Sequence, residues 1–309
     1  MTINRIVKII KEPYTVLFFI IKIIDYLFLI PDKMYLELLF RRVKGKKLNL
    51  NNAKSFNEKI QWLKLYDRKP EYTRMVDKYE VKKFVSNIIG EKHIIPTLGI
   101  WDEFDEIDFK KLPKQFVLKC THDSGGLIIC KNKLELNMKS SKKLIDKSLK
   151  INYYFKGREW VYKNVKPRII AEKYIVDNDV EDLRDYKFFC FNGKAKFIQV
   201  DFNRFTNHKR NIYNTEWQFQ NFKIEYPNDP NYLISKPDKL GEMILLANKL
   251  SENISSLRVD LYVVKDYIYF GELTFYPGGG FEEITPNEWD YKLGRLIELP
   301  ENIMNDSIF

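Results

Sequence analysis

Cysteine and histidine are scarce in this 309-residue chain, with three of each. Cys120, Cys130 and Cys190 are too few, and an odd number, for a disulfide-stapled secreted domain, and they suit a reducing compartment. With only His93, His122 and His208 beside them, and no cysteine pair at ligand spacing, a structural zinc site is not expected. The chain also lacks a zinc finger, an RNP box and a regular basic–aromatic stripe, so nucleic acid is not an expected partner. There are no internal repeats and no low-complexity linker. A clean membrane-spanning run is missing too. The most apolar stretch, residues 14–31 (YTVLFFIIKIIDYLFLIP), carries Lys22 and Asp25 in its middle. Each such charge costs about 2.5–3.5 kcal/mol at the bilayer centre, and no small-residue cleavage site follows to make it a signal peptide.

What is present is a globular composition: 45% hydrophobic, 30% charged and 15% aromatic residues. The length suffices for two conventional domains. The net charge is +10, and the first 47 residues hold ten Lys/Arg against four acids. A basic, apolar N-terminal region suits docking on the protein's own core or peripheral contact with an anionic membrane. The expected location is the cytoplasm, at the inner face of the cell membrane.

Hydrophobic periodicity divides the chain. Up to about residue 90 the pattern is helical: Ser55 and Glu58 form a capping box ahead of Ile60, Leu63 and Tyr66, and a second helix runs from Asp77 to near Gly90. From residue 116 onward strands predominate. Residues 116–120 and 127–131 flank the loop THDSGG. A polar helical region over 134–160 precedes a strand over 168–175. Residues 186–191 and 194–201 are joined by Asn192-Gly193, a strong hairpin signal. Pro237-Asp238 opens a helix, and 257–264 and 267–274 form a last hairpin turning at Lys265-Asp266. Hairpins interspersed with helices imply an α+β fold with mostly antiparallel sheets.

Three places carry chemistry. In the last hairpin, a turn at Lys265-Asp266 sets Asp260 nearly opposite Glu272, with Arg258 and Thr274 on the same face by the two-residue side-chain period. Opposed carboxylates destabilise unless a cation or proton lies between them, and two acids with a hydroxyl suit Mg²⁺ beside substrate phosphates. A register one residue off would put the acids on opposite faces instead. In Lys119-Cys-Thr121-His-Asp-Ser124-Gly125-Gly126, glycines between two strands let backbone N–H groups approach a phosphate, and Lys119 adds a charge. This loop lacks the GK[ST] of a P-loop and lies between strands rather than before a helix. It is equally a simple hairpin turn, and His122 within it is a general-base candidate or a solvated turn residue. Finally, Asp177-Asn178-Asp179 matches the D-x-D by which many glycosyltransferases hold a metal, although acidic loops produce such triplets by chance.

Taken in order, Asp77-Lys78 with Lys82, Lys119 before the Gly-rich hairpin, Glu172-Lys173-x-Ile175, Arg258-x-Asp260 and Glu272-x-Thr274 resemble an ATP-grasp enzyme. More closely, SFNEKIQWLKLYDR, FVLKCTHDSGGLIICK, GREWVYKNVKPRIIAEKYI, DYKFFCFNGKAKFIQVDFNR and GELTFYPGGGFE resemble the TupA-like ATP-grasp proteins of bacterial surface-polysaccharide clusters. The resemblance implies a helical region over 1–75, an N-terminal ATP-grasp lobe over 76–170 and a C-terminal lobe over 171–309. It implies ATP and Mg²⁺ as cofactors. Lys78 and Lys119 would contact phosphates, and the loop bearing Thr121, Ser124, Gly125 and Gly126 would close over them. Glu172, Lys173 and Ile175 would form the adenine hinge, with Asp185 near the ribose. Asp260 and Glu272 would bind the metal, with Thr274 where many family members have Asn. Arg258 would stabilise the transferred phosphoryl group, and Lys187 and Arg204 are further catalytic candidates. The implied activity is an ATP-dependent carboxylate–amine ligase acting on a small or lipid-linked saccharide carboxylate and an amine. A glycosyltransferase using Asp177 and Asp179, or a non-catalytic ATP-grasp scaffold, are the alternatives.

Overall fold

The computed structural model describes residues 30–175, 184–204 and 206–300. All but the last two residues of the apolar stretch over 14–31, and the Asp177/Asp179 triplet, therefore lie outside the described residues. Four helices come first: α1 (Asp32–Lys44), α2 (Phe56–Tyr66), α3 (Pro70–Val76) and α4 (Glu80–Ile89). The capping box forms, Ser55 N–H donating to Glu58 Oε2 at 3.1 Å and Glu58 N–H to Ser55 Oγ at 3.3 Å. Gly90 then ends α4, as the pattern predicts. Tyr35, Leu36, Leu39 and Phe40 bury one stripe of α1 in the same core as the rest of the chain. The N-terminal helical region that is described is thus packed on the protein rather than free. No helix among the described residues is long and apolar enough to cross a membrane.

A first sheet is built from β1 (Thr97–Trp101), β2 (Phe116–Cys120), β3 (Leu127–Cys130) and, after α5 (Met138–Leu149) and the short α6 (Tyr154–Gly157), β4 (Ile169–Lys173). Its order is β1-β4-β2-β3, all antiparallel. Phe116, Leu118, Ile145, Ile169 and Ala171 form its small core, with α5 packed on β2. Residues 170 and 171, the expected meeting point of the two lobes, both lie within β4. β1 escapes the sequence pattern because Gly99 and a neighbouring proline dilute its signal.

The second sheet contains β5 (Asp185–Phe191), β6 (Lys194–Phe202), β7 (Lys209–Asn214), β9 (Ser256–Val264) and β10 (Tyr267–Thr274), in the order β10-β9-β5-β6-β7. Asn192 and Gly193 both take positive φ, 48° and 77°, as a two-residue turn between β5 and β6 requires. β8 (Lys223–Ile224) pairs with β11 (Ile284–Thr285) in a two-stranded sheet. The apolar face, with Phe188, Val259, Leu261 and Leu273, belongs to the large core that also receives the N-terminal helices. α7 (Leu240–Leu250) packs against β5, β6 and β9, and α8 (Glu288–Leu296) packs on α2. Burying one face against helices leaves the other free to be polar, and that face holds the chemistry.

Candidate active site in the cleft of the two sheets

The β9–β10 hairpin turns at Lys265-Asp266 as expected, Val264 pairing with Tyr267. A bulge at Gly271 then shifts the register by one residue, so that Asp260 faces Glu272 and Arg258 faces Thr274. A Cβ at residue 271 would stand 2.8 Å from the Tyr262 ring and 3.0 Å from the Asp260 carbonyl oxygen, so only glycine fits the bulge. Without that bulge the two acids would not be partners.

The cation between them is Arg258. Its Nε and Nη2 donate to Asp260 Oδ1 and Oδ2 at 2.7 and 2.8 Å, and Nη2 also donates to Glu272 Oε1 at 2.9 Å. Lys187, opposite Asp260 on β5, donates to Asp260 Oδ2 at 2.6 Å and also to Asp185. Arg204 Nη2 reaches Asp185 at 3.2 Å. Burial works against ionising Asp260, but Arg258 and Lys187 outweigh it and hold the carboxyl below its ordinary range. Asp185 has the opposite outcome: burial, which Lys187 only partly offsets and Asp260 reinforces, pushes it upward. The Thr274 hydroxyl donates to Glu272 Oε1 at 3.2 Å.

Facing this hairpin across the cleft is the 121–126 loop. A cavity of about 270 Å³ is lined by Lys78, Lys82, Lys119, Glu172, Ser124 and Gly126 on one side and by Tyr262, Phe270 and Glu272 on the other. Ile94, Ile95 and Leu127 add an apolar wall. Glu172 is 5% exposed and is clamped by Lys119 at 2.6 Å and by Lys82. Burial raises its carboxyl, but the two lysines prevail and hold it below the usual range. Lys82 also donates to the Ile95 carbonyl at 2.6 Å. The Lys78 ammonium bonds only to the backbone carbonyl of Asp123 and has no carboxylate partner among the described residues. Enclosure in the cleft lowers it below the ordinary lysine range.

A second cavity, about 420 Å³, continues from the first and shares Lys78, Asp123, Ser124, Gly271 and Glu272 with it. Arg258, Thr274, Tyr153, Tyr162 and Glu159 line it, together with Leu39, Val43 and Met75 from the N-terminal helices. Glu272 and Lys78 thus stand on the partition between two chambers.

The sequence-predicted residues divide accordingly. Lys78, Lys119, Ser124, Gly126 and Glu172 meet Glu272 at the first cavity, while Arg258 and Thr274 face the second. Asp260, Lys187, Asp185 and Arg204 stand behind them as a charge network and line neither cavity. Thr121 is fully buried, and its hydroxyl donates to the Lys166 carbonyl at 3.1 Å, so it holds the loop rather than a ligand. Gly125 sits exposed at the loop tip, Lys173 points to solvent, and half-buried Ile175 lines neither cavity. His122 is neither a solvated turn residue nor placed at a cavity. It is 2% exposed, with Nε2 3.1 Å from the carbonyls of Ser148 and Ile151 at the end of α5. Sequence reasoning gave no site role to Tyr262, Phe270, Glu159 and Tyr162. Aromatic and charged residues at ordinary spacing carry no signal that they will line a cleft.

The donor set fits Mg²⁺ bound jointly with phosphates. Glu272 offers an open carboxylate, 46% exposed at the wall shared by both cavities, whereas Asp260 lines neither cavity and would have to release a bond to Arg258 or Lys187 to join it. Among the described residues no cluster of three or more metal-ligating side chains exists, so remaining ligands would come from phosphate and water. Burial pushes the Cys120 and Cys190 thiols up to about 12, so neither is a thiolate nucleophile near neutral pH.

Comparison with known families decides the assignment: the TupA-like ATPgrasp family matches residues 58–298. The chain belongs to that family. Its match takes in both sheets, the whole lining of the first cavity, the second cavity apart from Leu39 and Val43, and the helices from α2, less its first two residues, to α8. No curated protein sequence matches it. Among solved structures, similarity is found to D-alanine–D-alanine ligase from Bacillus anthracis complexed with ATP, at 18% identity and a TM-score of 0.37 over 65% of this chain and 54% of that one. The D-alanine–D-alanine ligase of Helicobacter pylori is similar at 15% identity and a TM-score of 0.41, over 80% and 70% of the two chains. N5-carboxyaminoimidazole ribonucleotide synthetase from Thermus thermophilus gives 11% and 0.36 over 65% and 45%. The chain thus spans about half the length of the first of these ligases. With TM-scores this low, the family match alone carries the assignment of this ATP-grasp chain.

Proposed function

We propose that the protein is an ATP-dependent carboxylate–amine ligase that works through an acyl phosphate, joining an amino compound to a uronic acid of a bacterial surface polysaccharide or its precursor. The observation that carries this reading is the pair of chambers divided by Glu272 and Lys78, one basic and apolar, the other mixed in charge. A triphosphate suits the first: Lys78 lacks a carboxylate partner, and Lys119 and Lys82 share the single charge of Glu172. Ile94, Ile95, Leu127 and Phe270 supply apolar surface for a purine.

A carboxylate is a poor electrophile because an attacking amine would have to expel an oxide. Transfer of the γ-phosphoryl group converts it into an acyl phosphate with a good leaving group. Lys78, at the junction of the chambers, and Arg258, in the second, neutralise charge on the oxygens as it moves. Mg²⁺ held by Asp260 and Glu272 would screen the phosphates. The amine then displaces phosphate, with no protein nucleophile required. The basic N-terminal region would place the enzyme at the inner face of the membrane, near a lipid-linked acceptor.

The test is a screen for ADP release with uronic acids and amines, together with thermal shifts. A ligand bound only to the folded state at a hundredfold excess over Kd stabilises by about 2.7 kcal/mol. Mg-ATP should raise Tm, and UDP-sugars should not. A shift with UDP-sugars and none with ATP would sink the ligase reading.

A further inference from the structure

Glu159 is 8% exposed, and its carboxylate has no hydrogen bond or ion pair among the described residues. The nearby ammonium of Lys64 does not supply one. Its three N–H bonds are committed to Gln61 Oε1 at 3.1 Å, the Gly157 carbonyl at 2.9 Å and the Gly279 carbonyl at 2.6 Å. The Glu159 oxygens are not sealed in the protein but open onto the larger cavity, where a cationic ligand can pair them. Burial pushes the Glu159 carboxyl upward, with Lys64 and then Lys156 opposing the shift.

The surroundings say which ligand. Glu159 lines the larger cavity, whose volume is in the range of small-molecule sites. A Cβ at residue 279 would stand 3.5 Å from Glu159 Oε1 and one at 157 would stand 3.7 Å away, both ordinary contacts, so two glycines border this oxygen without crowding it. Burial, and then both Glu159 and Glu272, raise the Tyr162 hydroxyl, while Arg258 opposes them. Tyr162 therefore lies within the field of both acids, in one chamber. Arg258 and Lys78 mark the end where a carboxylate would meet the phosphoryl donor. Glu159 supplies a carboxylate in the same chamber.

We propose that Glu159 receives the ammonium group of the amine substrate in the larger cavity. The assignment rests on the ligase reading and adds to it the charge of the second substrate and where it binds. The bound ammonium gives one proton to Glu159, which frees the nitrogen lone pair. The lone pair forms the C–N bond at the acyl carbon, the C–O bond to phosphate breaks, and phosphate departs with that electron pair and takes the second nitrogen proton. Nothing is oxidised or reduced.

The test uses the full chain without ATP and compares cationic probes with neutral counterparts: glucosamine against N-acetylglucosamine, ethanolamine against ethylene glycol, and glycinamide against acetamide, by calorimetry. At least one amine should bind the wild type tenfold or more tightly than its neutral counterpart, and Glu159→Gln should abolish that preference. The Mg-ATP thermal shift of Glu159→Gln should match wild type, since Glu159 does not line the nucleotide cavity. A panel in which no amine exceeds its neutral counterpart overturns the proposal, and wild-type protein alone gives that answer if the variant does not fold. A preference that survives in Glu159→Gln overturns it too. A missing ATP shift with the amine preference intact points instead to failure of the ligase reading.

Discussion

Two charged clusters face each other across the cleft, and they are built differently. On the first sheet, one carboxylate, Glu172, is shared by Lys82 and Lys119, and Lys78 nearby has only a carbonyl. On the second, Asp185, Asp260 and Glu272 are matched by Lys187, Arg204 and Arg258. The first cluster therefore keeps a surplus of positive charge at the cavity wall, where a polyanion can neutralise it. The second is balanced and rigid: the planar Arg258 fork is fixed by two hydrogen bonds to Asp260, which aims it before any ligand arrives. A surplus attracts a ligand, whereas a balanced network positions one.

Breaking the balanced cluster should have the largest effect. Asp260→Asn leaves Arg258 and Lys187 buried without their shared counter-charge. Removing one partner of a buried pair costs about 3–5 kcal/mol, so unfolding in urea should show a loss of that size, with the Mg-ATP thermal shift lost as well. An unchanged midpoint would mean the network does not hold the sheet face together. The outlying edge of the same network gives a pH signature. Asp201 accepts from Arg210 Nε at 2.7 Å, and Arg210 outweighs burial to hold its carboxyl at about 2. A depressed folded-state pKa stabilises above the unfolded value, near 4, and the contribution vanishes as pH falls from about 4 to 2. Arg210→Met should therefore be less stable than wild type by about 2 kcal/mol at pH 7, with the gap closing toward pH 2. A gap constant with pH would assign the loss to packing. The smallest effect is expected at the surplus cluster. Glu172→Gln frees two lysines that open onto a solvent-filled cleft, so it should cost about 1–2 kcal/mol, less than a sealed pair. A cost equal to that of Asp260→Asn would erase the distinction between the clusters.

Much of this arrangement was legible in the residues. Hydrophobic periodicity, the Ser55/Glu58 box, Gly90 and Asn192-Gly193 act over a few residues, so helices and hairpins could be read locally. The Lys265-Asp266 turn also brought Asp260 close to Glu272, and a two-residue period put Arg258 on the face of Asp260 and Thr274 on the face of Glu272. The bulge at Gly271 that makes the two acids partners was not legible, because it depends on how closely Tyr262 and the Asp260 carbonyl approach. Nor was the difference between Thr121, turned inward to the Lys166 carbonyl, and Ser124, turned to the cleft three residues later.

The sequence by itself determined the alternation of helices and hairpins, the charge types available and, through five ordered blocks, the family. Tertiary structure alone decided which charges are matched and which are left over. It joined Glu172 of β4 to Lys82 of α4 and Lys119 of β2, and it occupied every N–H of Lys64 so that Glu159 faces a cavity unpaired. Pairing depends on distance in space, and residues far apart in the chain carry no local record of it.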